Sequence, residues 1–316
     1  MRTTVERGPS YMDVAIMIEG QDGLDWTRWK RLASAAEDLG FAGLYRSDHF
    51  TNPEGPHKDA IELWVSLVYL AVNTSRIEFG PMVSPVSFRN PVVSAWAAAA
   101  VDDLSGGRFH MGLGAGWQQR EHESHGFDLL EVGPRFDRFR EGIQVVSTLL
   151  RSDTPSTFEG GFFSLKDALL LPRPKRPGGP PIVIGGNGLK RTLPLAAKYA
   201  DEWNAVFTTP ERFAELSAHL DGLVKQHGRD PGAVKRTMMQ RVTIGRTQRE
   251  LDSKLEALDV ENLKSRGAVL GTPNEVAERL ASFAEAGVSR VMAQWIQMDD
   301  IDGLEVFADK VLPQLS

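Results

Sequence analysis

The sequence contains no cysteine, and this absence removes several kinds of chemistry at once. Disulfide bridges, thiolate nucleophiles and thiolate metal sites are all excluded. Residues 1–20 also lack the apolar stretch of a signal peptide, and no window approaches about 18 consecutive apolar residues. We therefore expect a protein of a reducing interior, with a cytoplasmic location and no membrane partner.

Basic clusters are missing as well. The formal net charge is −6 and no long run of lysine and arginine occurs, so we expect no nucleic-acid partner. The sequence has no Gly-x-Ser-x-Gly motif, which disfavours a hydrolase with a nucleophile elbow. The acid pairs Asp102–Asp103 and Asp299–Asp300 fall at predicted helix ends, so glycosidase chemistry has little support.

What the chain does contain is a regular alternation of short apolar runs with longer segments of helical period. Apolar residues make up 41% of the chain and charged residues 25%, which is typical of a folded protein. The apolar runs predict eight strands, at residues 13–19, 42–47, 77–84, 109–115, 181–186, 202–207, 236–245 and 290–295. Helices are predicted after them, within residues 24–40, 59–72, 92–104, 134–150, 189–199, 210–227, 247–265 with 273–286, and 301–312.

The predicted strands are continuously apolar rather than alternating, which indicates a parallel sheet with both faces buried. Eight β–α units in one chain favour a closed (β/α)8 TIM barrel over an open doubly wound sheet. Residues 151–180 interrupt the pattern with an aromatic stretch, a Gly-Gly turn and a connector rich in proline and glycine. We interpret this segment as an insertion between the fourth and fifth units, and we predict a single barrel domain over residues 1–316.

Two titratable residues, Asp48 and His49, directly follow the second predicted strand. In a barrel the carboxyl ends of the strands form the working face, so both side chains can point into its mouth. There a histidine exchanges a proton near neutral pH, and a carboxylate accepts a hydrogen bond. A structural explanation, in which Asp48 caps the next segment and His49 packs against neighbours, fits the same position. We take the pair as the predicted catalytic residues.

Three further strand ends are rich in glycine or proline: GPMVSPVSFRNP (80–91), GLGAGW (112–117) and IVIGGNG (182–188). The first predicts either a tight turn or a bulged backbone that faces a ligand. Alternating glycines in the second allow a ligand or another backbone to approach closely. The third leads into a helix whose first N–H groups, with Lys190 and Arg191 nearby, suit an anion, although a plain glycine-rich loop explains it equally well.

One apparent metal motif does not fit. Residues 122–125 read HESH, which is one residue short of the H-E-x-x-H zinc helix. We therefore predict no metal site and place this segment on a loop that faces solvent or substrate. The segment 271–280, GTPNEVAERL, is explained by Thr272 as a helix cap with Pro273 in the first turn.

Several segments are specific when their order and spacing are taken together. They are LGFAGLYRSDHF, RIEFGPMVSPVSFRNPVVSAWAAAAVDDLSGGRFHMGLGAGW, RFDRFREGIQVV, PPIVIGGNG followed by AAKYADEWN, and GTPNEVAERL. With them the chain resembles the luciferase-like monooxygenase superfamily over most of residues 13–312, and most closely the branch that uses coenzyme F420, a deazaflavin. The resemblance implies a barrel with an insertion, usually a homodimer, with the cofactor ring near the second and third strands.

The resemblance also implies roles for individual residues. Asp48 is implied to hydrogen-bond the deazaflavin ring, and His49 to lie near the reacting centre as a proton donor or orienting group. A bulge near Met82 and Val83 is implied to carry a non-proline cis peptide that supports the ring from behind. The further implied cofactor contacts are Ser84 beside the bulge, Gly114, Ala115 and Gly116 along the fourth strand end, and Gly185, Gly186 and Asn187 at the phosphate.

The sequence departs from the sugar-phosphate dehydrogenases of this branch. Trp117 stands where they have a glutamate, and Asn52 and Pro53 stand where they have a tryptophan. Oxidation of glucose 6-phosphate is therefore not expected, and Trp117 suggests a flatter, more apolar organic substrate. The predicted substrate contacts are Trp117, Glu121, His122 and His125.

The predicted function is F420-dependent hydride transfer to or from a small organic molecule. The alternative is an FMN-dependent two-component monooxygenase on the same fold. A barrel that only binds a ligand is a third reading, disfavoured by the Asp48–His49 pair and the glycine segments.

Overall fold

The computed structural model describes residues 12–315, whose strands form a parallel sheet surrounded by helices. The strands are β1 (Asp13–Ile18), β2 (Gly43–Arg46), β3 (Glu78–Pro81), β4 (Ser84–Pro85), β5 (Met111–Gly114), β6 (Ser156–Glu159), β7 (Ser164–Ala168), β8 (Ile182–Gly185), β9 (Glu202–Val206), β10 (Lys235–Ile244), β11 (Val269–Gly271) and β12 (Arg290–Gln294). The helices are α1 (Trp26–Asp38), α2 (Leu63–Asn73), α3 (Pro91–Ser105), α4 (Gln119–His125), α5 (Val132–Arg151), α6 (Thr192–Tyr199), α7 (Pro210–Gln226), α8 (Gln248–Leu255), α9 (Val260–Ser265), α10 (Pro273–Glu285) and α11 (Ile301–Lys310).

The sheet closes on itself. Its strand order is β3-β2-β1-β12-β10-β9-β8-β5-β4 with parallel neighbours, and β11 adds to the outer part of β10. The third strand is divided into β3 and β4. Backbone hydrogen bonds from Phe79 to Arg108 (3.1 Å) and from His110 to Phe79 (2.9 Å) join β3 to the residues before β5. The predicted (β/α)8 TIM barrel is therefore confirmed, with β3 and β4 sharing one of its eight positions.

Helix ends follow the local chemistry of the sequence. Asp25 caps α1 by accepting a hydrogen bond from the backbone N–H of Arg28, as predicted. The second predicted helix starts late, at Leu63 rather than at residue 59. The residues before Leu63 are extended instead of helical. Ala60 forms a parallel β-bridge with Leu24, and the N–H of residue 61 donates to the carbonyl oxygen of Leu24 (3.2 Å).

Two predictions about the secondary structure were wrong. The whole HESH segment, which was placed on a loop, belongs to the short helix α4, which Gly126 ends in the left-handed conformation (φ 73°). The predicted helix 247–265 is two helices, α8 and α9, separated by a turn, and β11 was not predicted. Short helices with mixed polarity carry a weak periodic signal, which explains the first two differences, and β11 has only three residues, too few for a pattern.

Residues 151–180 form an antiparallel hairpin of β6 and β7 between α5 and β8. The tip of the hairpin is tied to α5, because the carboxylate of Glu141 accepts hydrogen bonds from the backbone N–H groups of Gly161, Phe162 and Phe163. The segment lies where the insertion was predicted. The assignment of residues 1–316 to a single domain stays a prediction.

Two hydrophobic layers hold the barrel together. The larger lies between the sheet and the helices, and the smaller fills the barrel interior with Ala15, Met17, Tyr45, Met82, Val183, Met239 and Met292. Such filling makes the barrel a packed core rather than a pore, so open space remains only above the last interior layer. Within residues 12–315, none of the helices is both long and apolar enough to cross a membrane.

Candidate active site

A cavity of about 860 Å³ opens at the carboxyl ends of the strands. Met17, Met82 and Met239 form its floor, directly above the packed interior. Phe136 and Phe207 add aromatic walls. A mostly apolar cavity of this size with a few polar groups is typical of a site for a small molecule or an organic cofactor.

His49 lies on the wall of this cavity, immediately after β2. Its Nδ1 is 2.7 Å from a carboxylate oxygen of Glu121, and the other oxygen accepts the backbone N–H of Phe50 (3.0 Å). The Glu121 side chain is completely buried. Burial by itself lowers the pKa of His49, but the hydrogen bond and charge of Glu121 outweigh it, so the pKa is raised above its ordinary value.

The imidazole is also oriented from the side. The ring of Trp117 meets it edge to face, with centroids 5.6 Å apart and planes 81° apart. Trp117 lines the cavity and is 60% exposed, so it stands at the mouth. With Nδ1 on Glu121, the second nitrogen of His49, Nε2, has no hydrogen bond within the described part of the chain and is available to a bound molecule.

The wall beside His49 is formed by the break between β3 and β4. The Met82–Val83 bond is a non-proline cis peptide, as the family resemblance implied. Both residues line the cavity together with Gly114. A Cβ atom at Gly114 would lie 2.5 Å from a methyl carbon of Val83, closer than packed atoms come, so only glycine lets Val83 occupy this position.

Asp48 lies behind this wall. Its carboxylate accepts a hydrogen bond from the hydroxyl of Ser84 (2.6 Å) and forms an ion pair with Arg89. Asp48 and Ser84 are both buried, and neither borders the cavity. The arrangement holds the residues after β2 against β4, and the ring contact of Asp48 and the cofactor contact of Ser84 stay predictions.

The glycine segment after β8 borders the cavity through Gly185 and Gly186. Gly186 has φ 120°, a conformation that favours glycine. The Asn187 side chain is engaged elsewhere, because it donates to the carbonyl oxygen of Val206 (2.7 Å) and accepts from the N–H of the same residue (3.0 Å). Backbone groups of this segment, rather than the Asn187 amide, therefore face the cavity.

The other predicted positions divide into two sets. Ala115, Gly116 and Trp117 line the cavity, as a contact with cofactor or substrate requires. His122 is buried, with Nε2 at 2.8 Å from the Ser87 hydroxyl and Nδ1 at 2.7 Å from the carbonyl oxygen of residue 118. His125 lies on the outer side of α4 against Phe50. Neither histidine borders the cavity, and Glu121 reaches it only through His49.

Sequence reasoning missed several polar residues of the cavity. Glu19 follows β1 and accepts hydrogen bonds from the amides of Gln21 (3.0 Å) and Gln294 (2.7 Å). Asp22 lies nearby, and burial followed by the charge of Glu19 raises the pKa of its carboxyl group. Arg241 lines the cavity from β10. The sequence signal that could have identified Arg241 is a single arginine within the mostly apolar run MMQRVTI.

Comparisons with known proteins agree with this geometry. The family model for luciferase-like monooxygenases matches residues 12–262. An F420-dependent glucose-6-phosphate dehydrogenase of Amycolatopsis mediterranei (strain U-32) is 26% identical over 312 residues, covering 90% of this chain and 92% of that protein. A phthiodiolone/phenolphthiodiolone dimycocerosates ketoreductase of Mycobacterium sp. (strain JLS) is 30% identical over 255 residues, covering 78% and 64%.

A solved structure gives the same picture of the fold. An F420-dependent secondary alcohol dehydrogenase in complex with an F420-acetone adduct superposes with a TM-score of 0.85 at 19% identity, covering 97% of this chain and 99% of that one. The barrel, the cavity at its carboxyl end and the family match define one class. The chain belongs to the luciferase-like monooxygenase family, and the predicted superfamily is thereby confirmed.

Proposed function

We propose that this protein is an F420-dependent oxidoreductase that transfers a hydride between the deazaflavin and a small organic substrate. The observation that carries the proposal is the lining of one cavity, which His49, held by buried Glu121, shares with the apolar wall of Met82 and Val83. Relatives and solved structures named as F420-dependent dehydrogenases and reductases support the same reaction class.

The cavity residues fit a long cofactor with a flat ring and an anionic tail. Met82, Val83 and Gly114 offer an apolar wall for the ring. Gly185 and Gly186 lie at the start of the segment that leads into α6, where backbone N–H groups suit a phosphate. When bound, F420 would supply the hydride chemistry, and the protein would supply position and charge.

In this proposal His49 manages the proton that accompanies the hydride. Glu121 engages Nδ1 and so leaves Nε2 to exchange a proton with the substrate. The raised pKa keeps the imidazolium populated at higher pH than an unperturbed histidine would allow. A neutral or protonated ring can therefore serve either direction of hydride flow, as base or as acid.

The substrate that fits is an organic molecule with an apolar portion. Trp117, Phe136 and Phe207 surround the open part of the cavity, and Glu19 and Asp22 place carboxylates at its edge. These aromatic side chains suit a flatter and more apolar molecule than a sugar phosphate. We therefore propose a substrate other than glucose 6-phosphate, although several relatives are named for that activity.

Titration of the purified protein with F420 and, separately, with FMN tests the cofactor. Both are followed by quenching of tryptophan fluorescence, since Trp117 stands at the cavity mouth. We expect saturable binding of F420 at micromolar concentration and weaker binding of FMN. Tight binding of FMN without a response to F420 would contradict the proposal and support the two-component monooxygenase.

We also propose a homodimer in the cytoplasm. The helices α2 and α3 lie side by side and present an exposed apolar strip, formed by Val65, Val68, Val72, Val93, Trp96 and Leu104. The exposed residues follow the helical period along each helix, so each helix presents an apolar face. A second copy of the same chain would cover the strip symmetrically.

Sedimentation of the wild type and of Val72→Glu tests the dimer. We expect the wild type to sediment as a dimer and the variant as a monomer, because one charge per subunit would be buried in the apolar contact. Leu171→Glu, at an exposed apolar residue of the insertion, is the matched control and should stay dimeric. A monomeric wild type at micromolar concentration would overturn this proposal.

A further inference from the structure

Arg241 is a cation without an anion. It lies on β10 and lines the cavity, and its side chain is partly buried. Within residues 12–315, no carboxylate comes within ion-pair distance of its guanidinium, and its side chain makes no hydrogen bond. Its Nε is fully buried and without a partner. Buried charged groups are ordinarily paired, so this arrangement requires an explanation.

Two other arginines of this protein show the usual arrangement, in which a buried guanidinium is paired with carboxylates. Arg89 is paired with Asp48 and Glu62, and Arg290 with Asp13 and Glu78. In both, the carboxylates outweigh burial and the pKa is raised. For Arg241 burial alone acts and lowers the pKa, with no carboxylate to offset it.

The position of Arg241 in the barrel indicates which molecule would supply the anion. In the strand order, β10 is four positions from β3 in one direction and four from β4 in the other. Arg241 therefore faces the Met82–Val83 wall from the opposite side of the mouth. The glycine segment after β8, which suits the cofactor phosphate, is two positions away from β10. If the cofactor ring lies against the Met82–Val83 wall, Arg241 lies on the opposite side of the cavity, where the substrate would bind.

The side chains in register with Arg241 are uncharged, and the nearby carboxylate of Glu19 accepts hydrogen bonds from Gln21 and Gln294. The register pairs Arg241 with Gln294, and Gln294 with Met17, so these side chains share one level above the Met239 floor. The amide of Gln294 is already engaged by Glu19 (2.7 Å). A guanidinium in such a setting binds a carboxylate or phosphate strongly, because water competes poorly there.

We propose that Arg241 binds an anionic group, a carboxylate or a phosphate, of the substrate. The substrate is then an organic acid with its apolar portion between the methionine floor and the aromatic walls, and its acidic group on the side away from the ring. The reaction assumed in this inference rests on the proposed function, whereas the anion site does not depend on it. The anion can be tested without any turnover.

The test compares benzoate with benzamide, which have nearly the same shape and differ in charge. Their dissociation constants are measured by calorimetry for the wild type, Arg241→Gln and Arg241→Lys, with and without F420. We expect the wild type to bind benzoate about tenfold or more tightly than benzamide, the effect of a charge-assisted hydrogen bond. Arg241→Gln should abolish that preference, and Arg241→Lys should retain part of it.

Lys58→Gln is the matched control, because Lys58 also lines the cavity but is exposed at its rim. It should leave the preference for benzoate unchanged. Equal preferences in the wild type and in Arg241→Gln would overturn the proposal. So would an Arg241→Gln variant that loses affinity for F420 but not for its riboside without the anionic tail, because Arg241 would then serve the cofactor. Failure to bind F420 with the benzoate preference intact would instead contradict the proposed function alone.

Discussion

The two ends of the barrel each hold a histidine beside carboxylates, and only one of these histidines borders a cavity. At the carboxyl end His49 is paired with Glu121 and lines the cavity. At the amino end His110 lies between Glu78 (3.3 Å) and Glu202 (3.5 Å) and is buried. Burial lowers the pKa of both histidines, and the carboxylates outweigh it, so both pKa values are raised.

Ion pairs join the charged groups at the amino end. Glu78, Glu202 and Arg290 are the first residues of β3, β9 and β12. Arg290 contacts Glu78 (2.6 Å) and the hydroxyl of Tyr45 (3.1 Å). The His110 hydrogen bonds and the Arg290 charge overcome burial and hold the pKa of both glutamates below their usual range.

The comparison teaches that the same chemical pair serves two purposes, depending on what it borders. At the amino end ion pairs join residues of different strands, so the network holds the barrel closed. At the carboxyl end His49 keeps one free nitrogen and Arg241 has no anion, so these groups remain for a ligand. Chemistry is expected only where polar groups of the protein are left incompletely paired.

The largest effect is expected from a substitution at the carboxyl end of the barrel. His49→Ala should lower turnover by a factor of about 10² to 10⁴, the usual contribution of a general acid or base. F420 affinity should stay near that of the wild type, and the melting temperature should fall, because the buried Glu121 loses its partner. Steady-state kinetics and fluorescence titration check this. Unchanged turnover would remove His49 from the reaction.

The amino end should respond in the opposite way. His110→Ala leaves the buried Glu202 with less compensation, and we expect a loss of about 3 to 5 kcal/mol in the free energy of unfolding. Turnover per folded molecule should change little, because the network is at the far end of the barrel. Urea unfolding measures the first quantity, and kinetics below the unfolding transition the second. A stable variant would show that His110 adds no net stability.

Glu121→Gln should have a smaller effect. It tests whether the Glu121 carboxylate raises the pKa of the His49 imidazole. Without the charge of Glu121, burial dominates and the pKa of His49 should fall. The limb of the pH–rate profile due to His49 should then move to lower pH, whether His49 acts as acid or as base. Turnover at the optimum should drop by about 10- to 100-fold. A profile that keeps its position would contradict the pairing.

The smallest expected effect is the pH dependence of stability. The raised pKa of His110 adds stability that is fully present below its unfolded value of 6.5 and is lost as pH rises through the folded value. The wild type should therefore lose part of its unfolding free energy between pH 6 and pH 9. His110→Gln should lose less over the same range. Parallel urea titrations of both proteins at the two pH values decide this.

Much of the fold could be predicted because its signal is local. Continuous apolar strands, helical periods and caps such as Asp25 lie within short windows, so all eight barrel strands were placed correctly. The short helix α4 escaped because seven residues of mixed polarity do not reveal a period. Missing α4 affected the prediction of the site, because α4 carries Glu121, which pairs with His49.

The candidate site was predictable only in part. His49 and the glycine segments stand at strand ends, where a barrel places functional groups, and they line the cavity. Glu121, a predicted substrate contact, pairs with His49 from 72 positions away in the chain. The carboxylate of Asp48, a predicted ring contact, is held by Ser84 and Arg89. Both roles stay predictions. Such pairings depend on the approach of distant strands, which no local pattern contains.

By itself the sequence determined the eight β–α units, the barrel they form and the glycines that allow close approach at its mouth, because each depends on the intrinsic preferences of neighbouring residues. Only the tertiary structure decided which histidine borders the cavity, which carboxylate raises its pKa and which arginine is left without an anion. Those outcomes depend on burial and on distances between residues far apart in the chain, and both arise only when the barrel closes.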